Sequence, residues 1–301
     1  MPESYRRSHC RRAWIVQRLA LIPLAAWLIG CEQPIPYDIE PPPRRPVAPV
    51  VRRVVRPAPV LAAYPPPLPP RPPQDGRCVL LGYSVQGRPL TMQVFGQGAH
   101  GTFILAGIHG NEGCGVKLVN ELAEYLRSHP EAYRGTTVAL LPAANPDGLA
   151  LNKRANARGV DLNRNFPARN WSPSRGGQYA GGGRPASEPE TTAIMGAIDL
   201  IRPDRIVSVH AIDRGRHCNN YDGPAAELAR LMNSRNGYPV KAAIGYPTPG
   251  SMGSWAGVDH QVPMVTLELP YDSVGESCWT QNGQALLAVI SVAAQDALAG
   301  K

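Results

Sequence analysis

Three side chains with the chemistry of metal ligands follow two apolar runs of the sequence. His109 and Glu112 come directly after the run Phe103–Ile108, and His210 closes the run Ile206–Val209. Imidazole nitrogen and carboxylate oxygen both bind zinc, and a catalytic zinc site uses three protein ligands plus water. A His and a Glu three residues apart also occur in surface turns, so this pair alone would predict little. If both apolar runs are buried strands, however, their ends can bring the three side chains to one ion.

Apolar runs and segments of helical spacing alternate along the second part of the chain. Strands are predicted at Cys78–Val85, Leu90–Phe95, Phe103–Ile108, Thr137–Pro142, Ile206–His210 and Val262–Leu269. Helices are predicted at Lys117–Arg127, Glu188–Ile201, Ala225–Asn233 and Gly283–Leu298, and residues 143–186 have the composition of a loop. Continuous apolar strands that alternate with helices indicate an α/β fold with a mixed, mostly parallel central sheet and helices on both faces.

The beginning of the chain has the features of an export signal. Five arginines precede the apolar run Leu19–Gly30, which is too short to span a bilayer, so residues 1–30 are predicted to be a signal peptide. The run ends in Leu28-Ile-Gly-Cys31, which resembles the lipobox of bacterial lipoproteins, and Cys31 is the predicted lipidation site. An ordinary signal peptide with an unrelated Cys is the alternative. The resemblance to lipoproteins implies that the absence of Asp after Cys31, where Glu32 stands, favours the outer membrane over the inner membrane, with the protein anchored on the periplasmic side.

Residues 31–75 combine the lipidated Cys with a proline-rich tether. Residues 34–74 contain 16 of the 33 prolines, a density that no packed core accepts. As polyproline II this segment could extend on the order of 100 Å, far enough to reach the cell wall, although a solvated linker with no binding role is an equal alternative. Most of the net charge of +8 also lies before residue 76, so the globular part, residues 76–301, is not expected to bind nucleic acid.

Several motifs in this globular part resemble the M14 zinc carboxypeptidase family. They occur in the order of that family and cover most of residues 80–300: Gly107-Ile-His-Gly-Asn-Glu112, Asn145-Pro-Asp-Gly148, Gly159-Val-Asp-Leu-Asn-Arg-Asn-Phe-Pro167, Ser187-Glu-Pro-Glu190, the strand that ends at His210, and Thr266-Leu-Glu-Leu-Pro270. Two further motifs are most similar to the murein peptide amidase branch: Asn220-Tyr-Asp-Gly-Pro224 and Tyr246-Pro-Thr-Pro-Gly-Ser251. The resemblance implies a zinc carboxypeptidase-like catalytic domain over residues 76–301.

The resemblance also implies the metal and the general base. It places one zinc ion per chain on His109, Glu112 and His210, which agrees with the donor types. Glu268 matches the general base of the family. Its neighbours in the predicted strand are apolar, and an acidic side chain is costly to bury there unless it is paired or functional. A structural ion pair is the alternative for Glu268.

Substrate-binding roles follow from the same resemblance. Asn163 and Arg164 match the pair that binds a free substrate carboxylate, for which the guanidinium fork is suited. Arg154 matches the arginine that stabilises the oxyanion and is preferred over Arg158, four residues further on. Tyr246, 22 residues before Glu268, matches the tyrosine that covers the substrate, although its Pro-Thr-Pro flank departs from the digestive carboxypeptidases and leaves a packing role equally open.

Tyr221 and Asp222 are further candidates for the lining of the pocket.

Four further cysteines, Cys78, Cys114, Cys218 and Cys278, could form disulfides in an exported chain, with three possible connectivities. Cys114 is interpreted as structural rather than as a zinc ligand, although it lies only two residues after Glu112.

The expected activity is zinc-dependent hydrolysis of a peptide amide next to a free carboxylate. The murein amidase resemblance implies the bond between γ-D-Glu and meso-diaminopimelate in peptidoglycan stem peptides. Such amidases are often cytoplasmic, whereas the signal peptide predicted for this chain implies export. The alternatives are a periplasmic carboxypeptidase on other peptides, an aspartoacylase-like deacylase, and a catalytically inactive lipoprotein that binds murein. The intact set of His109, Glu112, His210 and Glu268 argues against the inactive protein.

Overall fold

The structure is a computed structural model that describes residues 76–173, 176–242, 244–272 and 276–292. The predicted signal peptide (1–30), the lipidation site Cys31 and the tether (31–75) lie outside these residues, as does the end of the last predicted helix. In the described part of the chain, no helix is both long enough and apolar enough to cross a bilayer.

Eight strands form a single sheet in the order β1-β2-β4-β3-β5-β8-β6-β7. Their bounds are β1 Arg77–Tyr83, β2 Pro89–Gly96, β3 His100–Ala106, β4 Thr136–Leu141, β5 Arg205–Ile212, β6 Cys218–Asp222, β7 Val240–Lys241 and β8 Met264–Pro270. Strands β4, β3, β5 and β8 are mutually parallel and form the centre, while β1 with β2, β2 with β4, and β6 with β8 pair antiparallel. The predicted mixed, mostly parallel sheet is confirmed.

Helices cover both faces of this sheet, as predicted. They are α1 Gly113–Ser128, α2 Pro146–Leu151, α3 Pro189–Ile201, α4 Ala226–Asn236 and α5 Glu276–Ser291. On one face α1, α4 and α5 bury an apolar cluster that includes Leu122, Met232 and Leu286. On the other face Ile194 of α3 packs in a second cluster with Phe166 from the segment after β4. Continuous burial on both faces explains why the central strands read as unbroken apolar runs.

The sequence predicted neither β6 nor β7 nor a π-helical turn at Gly253–Asp259, and it predicted a loop where the short helix α2 lies. Strand β6 has the sequence Cys-Asn-Asn-Tyr-Asp, which lacks apolar alternation, and it exists because its backbone pairs with β8. Helix α5 begins at Glu276 rather than at Gly283.

The topology brings the ends of β3, β5 and β8 to one edge of the sheet. In the parallel ladders, Ala106 of β3 lies opposite Val209, and His210 of β5 lies opposite Glu268 of β8. Side chains of register partners on adjacent strands project from the same face. His210 and Glu268 are therefore neighbours, and the turn after β3 emerges beside them.

Candidate active site

His109, Glu112 and His210 converge at this edge of the sheet. Their potential ligand atoms all lie within 4.8 Å of one another, and all three side chains are buried. His109 Nδ1 is 2.7 Å from Glu112 Oε1, and His210 Nδ1 is 3.0 Å from Glu112 Oε2. The structure therefore brings together the three residues that the sequence proposed as metal ligands.

The turn that carries His109 is fixed by close contact with α2. A Cβ atom on Gly110 would collide with the backbone of Gly148, so only glycine allows this approach. Asn145 caps α2 by accepting a hydrogen bond from the Gly148 amide at 2.9 Å, and its side-chain amide donates to the Ile108 carbonyl at 3.2 Å. The Asn-Pro-Asp-Gly motif therefore holds the loop from which His109 projects.

Asp161 is a site residue that the sequence reasoning missed. Its fully buried carboxylate lies 3.0 Å from His109 Nε2 through Oδ1, and its Oδ2 accepts from Arg154 Nε at 2.9 Å. A carboxylate that holds one ring nitrogen fixes the orientation of the imidazole and leaves the other nitrogen for a metal. The signal was its position in Gly159-Val-Asp-Leu-Asn-Arg, two residues before Asn163.

The buried carboxylates make this site attractive to a cation. Burial alone would lower the pKa of His109, but Glu112 and Asp161 outweigh this effect and raise that pKa to about 9. Burial would raise the pKa of Glu112, and the adjacent histidines instead hold it well below its usual range. The same negative field that favours a proton on His109 would favour a metal cation at this position.

Glu268 faces the three metal-ligand candidates from β8. It is buried and lines, together with His109, Glu112 and His210, a cavity of about 180 Å³. Burial raises the pKa of Glu268, while the nearby His210 acts in the opposite direction. A carboxylate whose pKa is raised in this way is a stronger base, which suits it to accept a proton from water.

Arg154, which the sequence favoured for the oxyanion, and Arg158 lie in different surroundings. Arg154 lines the cavity, and its Nη1 lies 3.7 Å from Glu112 Oε1. Arg158 lies outside the lining of this cavity, where its Nη1 is 3.5 Å from Glu188 Oε2. Arg154 is therefore the one of the two that stands beside the predicted metal ligands.

Asn163, Arg164 and Tyr246 line the same cavity. Asn163 and Arg164 belong to a short 3-10 helix, Leu162–Arg164, which Asp161 caps. Asn163 Oδ1 accepts from the Met252 amide at 2.9 Å, which ties this helix to the π-helical turn. Tyr179, which the sequence did not single out, lies under both guanidinium groups, with its ring centre 5.1 Å from Arg154 Cζ and 5.5 Å from Arg164 Cζ.

A sequence model described as zinc carboxypeptidase, Peptidase_M14, matches residues 70–276. The chain belongs to the zinc carboxypeptidase family. This zinc carboxypeptidase is 37% identical over 190 residues to murein peptide amidase A of Escherichia coli (strain K12), a match that covers 58% of this chain and 73% of the relative.

Solved structures show the same fold. The structure of murein-tripeptide amidase from Escherichia coli O157 matches at a TM-score of 0.58 and 30% identity, over 77% of this chain and 94% of that one. Bovine thrombin-activatable fibrinolysis inhibitor, at 18% identity, matches at a TM-score of 0.63 over 75% of this chain and 91% of that one.

Membership of this family makes the protein a hydrolytic zinc metallopeptidase with one zinc ion per chain. The residues present fit that metal. Two imidazoles and one carboxylate form a donor set of the type that catalytic zinc sites use, and the three residues open onto a cavity with room for water and substrate. The predicted cofactor and enzyme class are confirmed.

Other residues considered from the sequence lie elsewhere. Tyr221 and Asp222 are not among the described residues that line this cavity; Asp222 instead packs against Gly253 and Gly257 of the π-helical turn. Cys78, Cys114, Cys218 and Cys278 are free thiols. Cys114 is outside the group of residues that could hold the metal.

Proposed function

We propose that this zinc carboxypeptidase hydrolyses the amide between γ-D-Glu and meso-diaminopimelate in peptidoglycan stem peptides. The observation that carries the proposal is one cavity that holds Glu268, the predicted metal ligands and the Asn163–Arg164 pair. The scissile amide of the proposed substrate has a free carboxylate on its leaving side, which is the group that a guanidinium fork binds. Similarity to proteins named murein peptide amidase A supports the choice of a murein peptide.

His109, Glu112 and His210 would hold the zinc ion. When bound, zinc supplies a Lewis acid that acidifies water and polarises the substrate carbonyl. The Glu268 carboxylate then accepts a proton from the attacking water and donates it to the leaving amine. Burial raises the pKa of Glu268, which makes it a stronger base for the first transfer, and the more basic leaving amine then takes the proton.

Arg154 and Arg164 have separate roles in binding the substrate. Arg154, held through its Nε and Nη2 by Asp161, places its Nη1 beside Glu112 and stabilises the negative charge that develops on the carbonyl oxygen. Arg164 and Asn163 bind the carboxylate of the leaving group. Tyr246, a half-exposed residue of the cavity lining, covers that carboxylate. Fixing the leaving side in this way orients the amide between Glu268 and the metal ligands.

A synthetic tripeptide, L-Ala-γ-D-Glu-meso-diaminopimelate, tests the proposal. The purified full-length protein, loaded with zinc, should release free diaminopimelate, which mass spectrometry detects. The matched variant Glu268→Gln should bind the same amount of zinc and release none, because it keeps the shape of the side chain and loses the base. A zinc-loaded parent protein that leaves the tripeptide intact would contradict the proposed substrate.

The cellular location is part of the same proposal. A signal peptide over residues 1–30 and lipidation at Cys31 would place the enzyme on the periplasmic side, anchored in the outer membrane, with residues 31–75 as the tether to the cell wall. Incorporation of a palmitate analogue that Cys31→Ala abolishes would support this placement. Equal labelling of both proteins would reject Cys31 as the anchor.

A further inference from the structure

The cavity extends to both sides of Glu268. Tyr246 and Arg164 line one part of it, and the Phe166 amide joins their segments by donating to the Gly250 carbonyl at 3.0 Å. Tyr271 and Asp213 line another part, where the Tyr271 amide donates to the Ile212 carbonyl at 3.0 Å, beside Asp213. Tyr246 with Arg164 therefore defines one end, and Tyr271 with Asp213 defines the other.

The two ends have different tasks in the proposed reaction. The Arg164 end takes the carboxylate of the leaving group, so the acyl part of the substrate must extend towards the Tyr271 end. The turn after β5, residues Asp213–Arg216, forms the wall there, because Asp213 and Arg216 both line the cavity. The Arg216 amide donates to the Asp213 carbonyl at 3.0 Å and closes this turn.

The turn contains two arginines with different surroundings. Arg214 is paired with Asp272 and is not among the residues that line the cavity. Arg216 lines the cavity and donates through Nη2 to the Ile244 carbonyl at 3.4 Å. None of the described carboxylates is within ion-pair distance of Arg216, and none of the described cations is within that distance of Asp213. The mechanism uses neither of these two charges.

We propose that Arg216 binds the free α-carboxylate of a γ-linked acidic residue on the acyl side of the scissile amide. This inference rests on the proposed function. A residue linked through its γ-carboxyl group keeps its α-carboxylate, whereas a residue in an ordinary peptide bond has none, so this group marks the γ-linkage. A guanidinium with unused donors suits a carboxylate. Asp213 supplies the opposite charge in the same turn, so that a zwitterionic acyl group such as L-Ala-γ-D-Glu is held in one orientation.

Two tripeptides that differ only at this α-carboxyl group test the assignment. One carries the free α-carboxylate of γ-D-Glu, and the other carries an α-carboxamide, which removes the charge and keeps the shape. The full-length, zinc-loaded parent should show a kcat/KM about 10–100-fold higher for the carboxylate, mostly through KM, as expected for a charge-assisted pair. Arg216→Gln should abolish this preference and change turnover of the carboxamide by less than about threefold, since no charge is lost there.

Arg214→Gln is the matched control, because it removes an arginine of the same turn that lies outside the cavity. It should keep the preference of the parent. A parent that hydrolyses both tripeptides equally, or an Arg216→Gln variant that keeps the preference, would overturn the role of Arg216 and leave the proposed function standing. Failure of the zinc-loaded parent on both tripeptides would reject the proposed function and this inference with it.

Discussion

The metal-ligand candidates and the substrate-binding arginines are held in place by different means. His210 and Glu268 lie on adjacent strands, and His109 follows a third, so the hydrogen-bond ladder of the sheet sets their spacing. Arg154 and Arg164 belong instead to the irregular segment between α2 and α3, whose described residues form no ladder. Side-chain hydrogen bonds must provide the order that backbone pairing provides in the sheet.

Buried asparagines supply those hydrogen bonds. Asn165, fully buried beside Arg164, donates to the Gly181 carbonyl at 2.8 Å and accepts from the Glu188 amide at 3.1 Å. Asn156 donates to Glu188 Oε2 at 2.8 Å. The comparison indicates that damage to the sheet edge removes the metal, whereas damage to the segment loosens substrate binding and leaves the metal bound.

The largest effect is expected from loss of a metal ligand. Glu112→Gln removes the anionic donor between the two histidines, so the purified variant should contain little zinc by mass spectrometry. Activity should fall by roughly 10³-fold or more, because nothing then acidifies the water. Chelation of zinc from the parent should have the same effect and should be reversed by added zinc. A fully zinc-loaded Glu112→Gln variant would contradict the assignment.

Asp161 connects the two regions and should affect both. Asp161→Asn keeps the size of the side chain but removes the charge that faces His109 and Arg154. Zinc affinity and kcat/KM should each fall by about 10–100-fold, the usual cost of losing a partner of a metal ligand. Competition with a chromogenic chelator measures the affinity. Normal zinc affinity with reduced kcat/KM would place Asp161 in the substrate-binding segment alone.

A substitution at Asn165 should disturb the irregular segment between α2 and α3 and leave the metal site intact. Asn165→Ala leaves buried backbone groups without partners and should lower the free energy of unfolding by about 2–3 kcal/mol. Zinc content should remain that of the parent, and KM should rise more than kcat falls, because Arg164 loses its support. Asn170→Ala is the control, since Asn170 is exposed and water can replace its hydrogen bonds. Loss of zinc from Asn165→Ala would break the comparison.

The smallest effect, a change in the free energy of unfolding, is expected at Asp222. This residue packs against Gly253 and Gly257 of the π-helical turn, which Asn163 contacts through the Met252 amide. Burial raises the pKa of Asp222 to about 6, and no described donor reaches its carboxylate. The folded state therefore holds this proton at pH values where the unfolded chain has released it. This lowers the free energy of unfolding as pH rises from about 4 to about 6, and the loss persists above that range.

Asp222→Asn removes the titrating carboxyl group, and with it the loss in free energy of unfolding that it causes above about pH 4. The variant should be more stable than the parent by about 1–2 kcal/mol at pH 8, and the difference should shrink towards pH 4. Thermal unfolding at both pH values measures it. The same substitution at the exposed Asp199 should leave stability unchanged at both. A difference at Asp222 that is equal at pH 4 and pH 8 would show that the buried charge is not its cause.

The sequence predicted the strand-borne part of the site better than the part carried by the irregular segment. His109 and His210 follow apolar runs whose burial is visible in the residues themselves, and Glu268 stands out as an acid in such a run. Asp161 and Tyr179 carry no such pattern. Their positions result from the path of residues 152–188, which buried polar contacts fix only after the chain has folded.

The sequence by itself determined the fold class, the family, the three metal-ligand candidates and the identity of the buried acid. Each of these depends on local patterns: burial periodicity, donor type and the spacing of motifs. Only the tertiary structure decided that Asp161 contacts both His109 and Arg154, that β6 joins the sheet, and that Asp213 and Arg216 share the cavity. These depend on contacts between segments far apart in the chain. Such contacts produce no hydrophobic periodicity that could be recognised in the sequence.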